Sequence, residues 1–269
     1  MKKPQDITFL MVGCQRCGTT WVDAALREHP EIYLPEKKQS YFFDRNYDLG
    51  MDWLLSRFEG AKAAHRAVGE VATGYSLPQA VERMAKDLPH LKIIMAMRNP
   101  IERAYSNYRV RFVEEGWSSF EDALEKSPDL LERGQYADQI EHLLQFYPRD
   151  RLLLLIYDDL VADDRAYLRS IYEFLGVDAN FQSSLIGQRS NAAMFTRSRG
   201  MLNRLGLKPV LRMLSRSRAG KLVRRLKKQQ GAVKQEISAE TRGRLVEHFR
   251  PFNQKLGEHL ERALMSWEA

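Results

Sequence analysis

Cysteine is almost missing from this chain of 269 residues: Cys14 and Cys17 are its only two, too few for a disulfide framework. Their Cys-x-x-Cys spacing raises a redox pair or half a zinc site, and the second lacks partners, because no further Cys pair and no His-x3–5-His follows. No window holds the roughly 18 apolar residues that a membrane span needs, and the longest apolar runs, such as Ile7–Val12 and Leu152–Ile156, are short. The basic tip Met-Lys-Lys-Pro-Gln-Asp precedes only about six apolar residues, short of a secretory core. These absences lead to the expectation of a cytoplasmic protein with no transmembrane segment. Repeats and Gly/Ser linkers are missing too, so residues 1–269 are read as one domain.

Acidic residues vanish between Ala179 and Gln235, and the net charge is +7. The basic 189–234 segment reads either as a solvated helical face or as an anionic-surface contact: a charged substrate, a cofactor phosphate or acidic lipid. Aromatics are not interleaved with its charges, as stacking on single strands requires, so no nucleic acid partner is expected.

Short apolar segments alternate with amphipathic ones. Strands are expected at Thr8–Val12, near Ile32–Leu34, and at Ala67–Val71, Lys92–Met97 and Arg151–Tyr157. Helices are expected at Thr20–Arg27, Pro78–Asp87, Ile101–Glu114, Ser119–Lys126, Ala137–Phe146 and Arg165–Leu175, then Arg204–Leu214 and Ala239–Glu261. The alternation points to an α/β protein: a P-loop-like three-layer fold with a central parallel sheet of about five strands and a largely helical C-terminal section.

The segment Phe9 to Trp21 reads as a strand, a loop bracketed by Gly13 and Gly18, and a helix that opens on Thr19 and Thr20. Glycines let backbone N–H groups turn toward a phosphate, and a helix N-terminus adds donors and positive dipole. Gly13-x4-Gly18 has Walker A spacing, yet Thr19 stands where a nucleoside triphosphatase needs lysine. The cation lies inside the loop, at Arg16.

A second segment ends the strand Lys92–Met97 in Arg98-Asn99-Pro100 and runs into a helix carrying Ser106. Pro100 suits a first helical turn. A cation at the carboxyl end of a central strand is poorly placed for packing and well placed for a ligand.

Both segments resemble motifs of the sulfotransferases that use 3′-phosphoadenosine 5′-phosphosulfate (PAPS). The first is similar to their 5′-phosphosulfate loop, written Lys or Arg, one residue, then Gly-Thr-Thr. The second is similar to their 3′-phosphate motif, an Arg at a strand end and a Ser eight residues later. The resemblance implies that Gln15, Arg16, Cys17, Gly18, Thr19, Thr20 and Trp21 hold the 5′-phosphosulfate, that Arg98 and Ser106 hold the 3′-phosphate, and that PAPS is the sulfuryl donor with no metal required. Arg16 is then also catalytic, stabilising the leaving group by analogy with phosphoryl transfer. Arginine keeps the charge of the commoner lysine and offers a fork in place of a proton; tyrosyl-protein sulfotransferases carry it as well.

Between these motifs, Pro35 to Asp44 resembles the segment holding the catalytic base in glycosaminoglycan sulfotransferases, but the Glu position is Gln39. An amide cannot take a proton. Asp44, Glu70 and Tyr41 are the candidate substitutes, the two carboxylates preferred, unless the acceptor needs only positioning. Lys38 is a candidate second cation, and Phe42, Phe43, Trp53 and Trp117 are either core or pocket lining. A late Arg- and Gly-rich loop, Arg189–Gly200, is a further candidate clasp on the donor. The expected activity is transfer to a hydroxyl, with an amine as second choice, of a carbohydrate, lipid or small-molecule acceptor. The rivals are a P-loop nucleotide kinase or triphosphatase and a catalytically silent nucleotide-binding module.

Overall fold

The computed structural model describes residues 2–188 and 236–268. The helix Arg204–Leu214, the loop Arg189–Gly200 and the basic 189–234 segment named above lie outside the described residues.

Strand β1 (Phe9–Gly13) is an unbroken run of apolar residues and glycine with all five positions buried, as expected of a parallel strand covered on both faces. With β2 (Ile32–Tyr33), β3 (Ala67–Val71), β4 (Lys92–Met97) and β5 (Leu152–Ile156) it forms a parallel five-stranded sheet in the order β2-β3-β1-β4-β5. Leu10 lies opposite Glu70 on one side and Ile93 on the other. The chain thus leaves β1 for one flank and later returns for the other. The carboxyl end of β1 is the switch point at which such sheets bind ligands.

The expected helices form as α1 (Thr19–Leu26), α3 (Pro78–Asp87), α4 (Pro100–Glu115), α5 (Phe120–Lys126), α7 (Tyr136–Leu144), α9 (Asp164–Leu175) and α10 (Ala239–Leu260). Side-chain caps fix several starts: Asn99 accepts from Ile101 and Glu102 N–H, Ser119 from Asp122, Asp163 from Ala166 and Ser238 from Thr241. Three short helices were not expected: α2 (Met51–Ser56), α6 (Asp129–Glu132) and α8 (Tyr157–Ala162). The last corrects the β5 boundary, because Tyr157 opens a helix instead of closing the strand.

Buried residues of α1, α3, α7 and α9 join the strands in one core, and a second cluster unites α4, α5 and α6 with Leu245 and Phe249 of α10. Phe42 and Phe43 are buried in the first, edge to face at 4.9 Å, and Trp117 is buried in the second. Of the two readings open for these three, core is the one that packing realises. Trp53 packs partly buried against Phe42.

Candidate active site

The loop after β1 stays tied to the sheet through Cys14 N–H, which donates to Ala96 O at 2.7 Å. Arg16 (φ 72°) and Gly18 (φ 82°) then both turn left-handed. For arginine that conformation costs about 1–2 kcal/mol, strain of the kind that gathers at ligand sites. Gly18 is required on two grounds, since a Cβ would also stand 2.9 Å from Leu160 Cδ2 and 3.1 Å from Tyr157 Cδ2. Gly18→Ala should therefore lower unfolding free energy by about 2 kcal/mol, measured as the urea midpoint at constant slope.

The loop presents Arg16 outward and sends both cysteines inward. Cys14 and Cys17 are buried free thiols, with Cys14 Sγ 3.9 Å from Gln139 Oε1 and Cys17 Sγ 3.9 Å from the Tyr136 hydroxyl. Burial drives the Cys14 thiol up. For Cys17 burial acts the same way but is outweighed by hydrogen bonds from Cys14 and Tyr136 and by the charges of Arg103 and Arg98, so its pKa falls. Cys17 can serve the loop only through its backbone, and Trp21 lies partly buried against the core.

Arg16 Nε donates to Ser106 Oγ at 3.0 Å, joining two motifs that lie 90 residues apart. This contact exists because β1 and β4 are neighbours, so the loop after one faces the helix after the other. Burial lowers the Arg16 pKa first, and the like charges of Arg98 and Arg109 lower it further. Arg98 lies with Cζ 4.9 Å over the Tyr157 ring. Its neighbouring carboxylate, Glu102, is 4.0 Å away and already holds Arg242 at 2.8 Å. Mutually repelling guanidiniums held together in this way gain from an anion placed among them.

Lys38 completes the cationic rim, donating from Nζ to Thr19 Oγ1 and Thr20 Oγ1 at 3.1 Å each. Burial brings its pKa down to about 8, with Asp23 opposing and Arg16 and Arg27 assisting.

On the acceptor side the carboxylate candidates separate. Glu70 is 1% exposed, and its Oε1 accepts from Ser40 N at 2.7 Å, Ser40 Oγ at 3.0 Å and Tyr75 OH at 3.1 Å. It pins the loop 38–44 to β3, although burial raises its pKa. Asp44 is half-buried beside Gly74, its Oδ2 is 3.9 Å from Arg45 Nε, and its Oδ1 is buried with no hydrogen-bond partner. Burial raises its pKa, opposed by the Arg45 and Arg133 charges. Gln39 accepts from Thr73 Oγ1 at 3.2 Å and donates to the Tyr41 hydroxyl, and Tyr41 is itself left-handed at φ 57°.

The aspartates after β5 are engaged within the fold: Asp158 accepts from Trp267 Nε1 at 2.9 Å and Asp159 takes Arg262 at 2.8 and 3.0 Å. Tyr136 and Tyr157 stand in segments, 134–139 and 154–160, that resemble segments of bacterial sulfotransferases, but the sequence assigns them no role and carries no signal for Trp267. The fold brings all three together behind the site.

A glycine-bracketed loop at the switch point of a parallel five-stranded sheet, gathering cations without the Walker lysine, sets the protein in the P-loop-like α/β fold class expected from its sequence. Within that class the chain belongs to the sulfotransferase domain family, which matches residues 6–257. It is similar to human heparan sulfate glucosamine 3-O-sulfotransferase 3B1, 25% identical over 264 residues that cover 91% of this chain and 61% of the relative. It is also similar to membrane-associated sulfotransferase kil1 of Dictyostelium discoideum, 28% identical over 134 residues, 46% of this chain and 28% of the relative. The chain thus spans at most about three-fifths of the length of these two curated relatives. The crystal structure of a sulfotransferase from Alicyclobacillus acidocaldarius shares the fold, with a TM-score of 0.72 over 98% of this chain and 99% of that one at 23% identity. No helix among the described residues is long and apolar enough to cross a membrane.

Proposed function

We propose that this protein transfers a sulfuryl group from PAPS to a hydroxyl of a carbohydrate, lipid or small-molecule acceptor. The observation that carries this reading is the Arg16–Ser106 hydrogen bond, which makes one basin of the 5′-phosphosulfate loop and the 3′-phosphate motif. The donor fits on charge, since Arg16, Arg98 and Arg109 gather where Glu102 is committed to Arg242. When bound, PAPS supplies an activated sulfuryl group.

The chain's own residues take distinct parts. Arg98 and Ser106 hold the 3′-phosphate. Thr19, Thr20 and the backbone of loop 15–18 hold the 5′-phosphate, and Lys38 stands beside them as a second cation. Arg16 stabilises the negative charge that grows on the leaving oxygen, an effect realised most strongly in the transition state. Asp44, half-buried at the end of the loop, receives the acceptor's proton on its carboxylate. Glu70, enclosed by Ser40 and Tyr75, holds the loop that carries Asp44. Gln39, locked between Thr73 and Tyr41, orients the acceptor by hydrogen bonding.

The test is calorimetric binding of 3′-phosphoadenosine 5′-phosphate without magnesium, to the wild type and to Arg98→Ala, with ATP as control. Micromolar binding of the bisphosphate is expected, weakened at least ~30-fold in Arg98→Ala, the usual yield of a lost charge-assisted pair. Preference for ATP would move the kinase reading ahead. Binding without turnover across an acceptor panel would instead favour the silent module.

A further inference from the structure

The two anion holders of the donor site stand on separate elements, Arg16 in the loop after β1 and Arg98 at the end of β4. A rigid donor can engage both only if their spacing is fixed before it arrives, otherwise its binding has to supply the ordering. We infer that Tyr136, at the start of α7, is the positioning residue that sets this spacing. The inference rests on the sulfotransferase reading of the site.

The Tyr136 hydroxyl donates to Arg98 O at 2.8 Å. That carbonyl lies just beyond the last residue of β4, where the ladder against β5 has ended at Met97 and Ile156, so the phenol fixes the point from which the Arg98 side chain departs. The same oxygen lies 3.9 Å from Cys17 Sγ, whose own thiol donates to Gln15 O at 3.6 Å within the loop. One hydroxyl therefore touches both halves of the site, each from the protein side. Burial pushes the Tyr136 pKa far up, with the neighbouring thiols adding to it, so the phenol stays a donor at every working pH. Gln139, one turn along α7, takes the Cys14 thiol, which gives α7 a hold on each end of the four-residue turn around Arg16.

Tyr136 is in turn held in place. It is 1% exposed and meets Trp267 edge to face with ring centroids 6.2 Å apart. Trp267 is anchored by its indole N–H on Asp158, whose neighbour Tyr157 lies under the Arg98 guanidinium at 4.9 Å. The contacts close a circuit from the Arg98 backbone through Tyr136, Trp267 and α8 back to the Arg98 side chain. Both the root and the tip of this arginine are thus determined by one assembly.

A purely structural tyrosine would contribute to stability and leave ligand preference alone. A positioning tyrosine acts on the gain that the 3′-phosphate provides. The experiment compares binding of 3′-phosphoadenosine 5′-phosphate and of adenosine 5′-phosphate to the wild type, Tyr136→Phe, Arg98→Ala and the double variant, with thermal unfolding alongside. Tyr136→Phe keeps the ring under Trp267 and should weaken the bisphosphate about fivefold, the scale of one hydrogen bond. It should weaken the monophosphate less than about twofold, and in the Arg98→Ala background it should cost nothing further, as expected of a residue acting through its partner. Equal weakening of both nucleotides, unchanged affinity with a lowered Tm, or full additivity with Arg98→Ala would each overturn the inference. Failure of the wild type to bind either nucleotide would sink the sulfotransfer reading, and this one with it. Should Tyr136→Phe not accumulate folded, Trp267→Phe, which loosens the ring's support and retains the hydroxyl, is read by the same ratio.

Discussion

Arg16→Ala should reduce kcat about 10³-fold, roughly 4 kcal/mol of transition-state stabilisation, while the ligand-free protein unfolds at the same temperature or higher. The two halves of this expectation have one cause. In the ligand-free state the outward-facing Arg16 side chain is bonded to Ser106, and partial desolvation together with the like charges of Arg98 and Arg109 pulls its pKa down. Removing it relieves that repulsion and costs a single hydrogen bond. In the reacting state the same charge faces an oxygen whose negative charge is growing, in a setting where water cannot substitute for it. Arg16→Lys should recover only part of the rate, because an ammonium cannot bond Ser106 through Nε and still offer a planar fork to the leaving group. Single-turnover kinetics with saturating PAPS, set beside calorimetric unfolding, measures both halves. A variant that loses activity and stability together would mean that Arg16 is chiefly a structural element of its loop.

Much of the architecture was legible in the sequence because its signals are local. Ala67–Val71, Pro78–Asp87 and Lys92–Met97 occur with the expected boundaries, the strands as short apolar runs and the helix with proline in its first turn. Helices α2, α6 and α8 were not legible. They are too short for a periodic pattern, and α8 follows β5 with no intervening turn residue to mark the change. The donor motifs were readable as separate residues, yet their joining by the Arg16–Ser106 bond depends on which strand lies beside β1, and no local signal states that. The acceptor side was harder for a further reason. A central strand buried on both faces has no polar alternation, so the sequence places Glu70 at a strand end without telling whether its carboxylate meets solvent or Ser40. The aromatic run had the same ambiguity, and packing settled Phe42 and Phe43 in the core. Asp44 differs because its distinguishing property is one carboxylate oxygen, Oδ1, with no hydrogen-bond partner, visible only once its neighbours have been placed.

Asp44→Asn should lower kcat by about 10²–10⁴, the usual range for losing a general base, and should abolish the acid limb of the pH–rate profile. Burial raises the Asp44 pKa above its ordinary value, so the wild-type limb should lie above the range of an exposed aspartate, near 4, with activity falling as pH drops through it. Stability carries the opposite sign. For a carboxyl whose folded pKa exceeds its unfolded one, the native state binds the extra proton, so the folded protein is penalised as pH rises from the unfolded pKa through the folded one. Asp44→Asn should therefore have a higher Tm than the wild type at neutral pH, and the gap should close below about pH 4. Glu70→Gln provides the contrast. Its carboxylate also has a raised pKa, yet it accepts from Ser40 and Tyr75, so the amide leaves donors facing a weaker acceptor and loosens the loop that carries Asp44. The acid limb should persist in Glu70→Gln even where the rate falls. If the limb instead disappears with Glu70 and survives the loss of Asp44, the roles of base and support are exchanged between them.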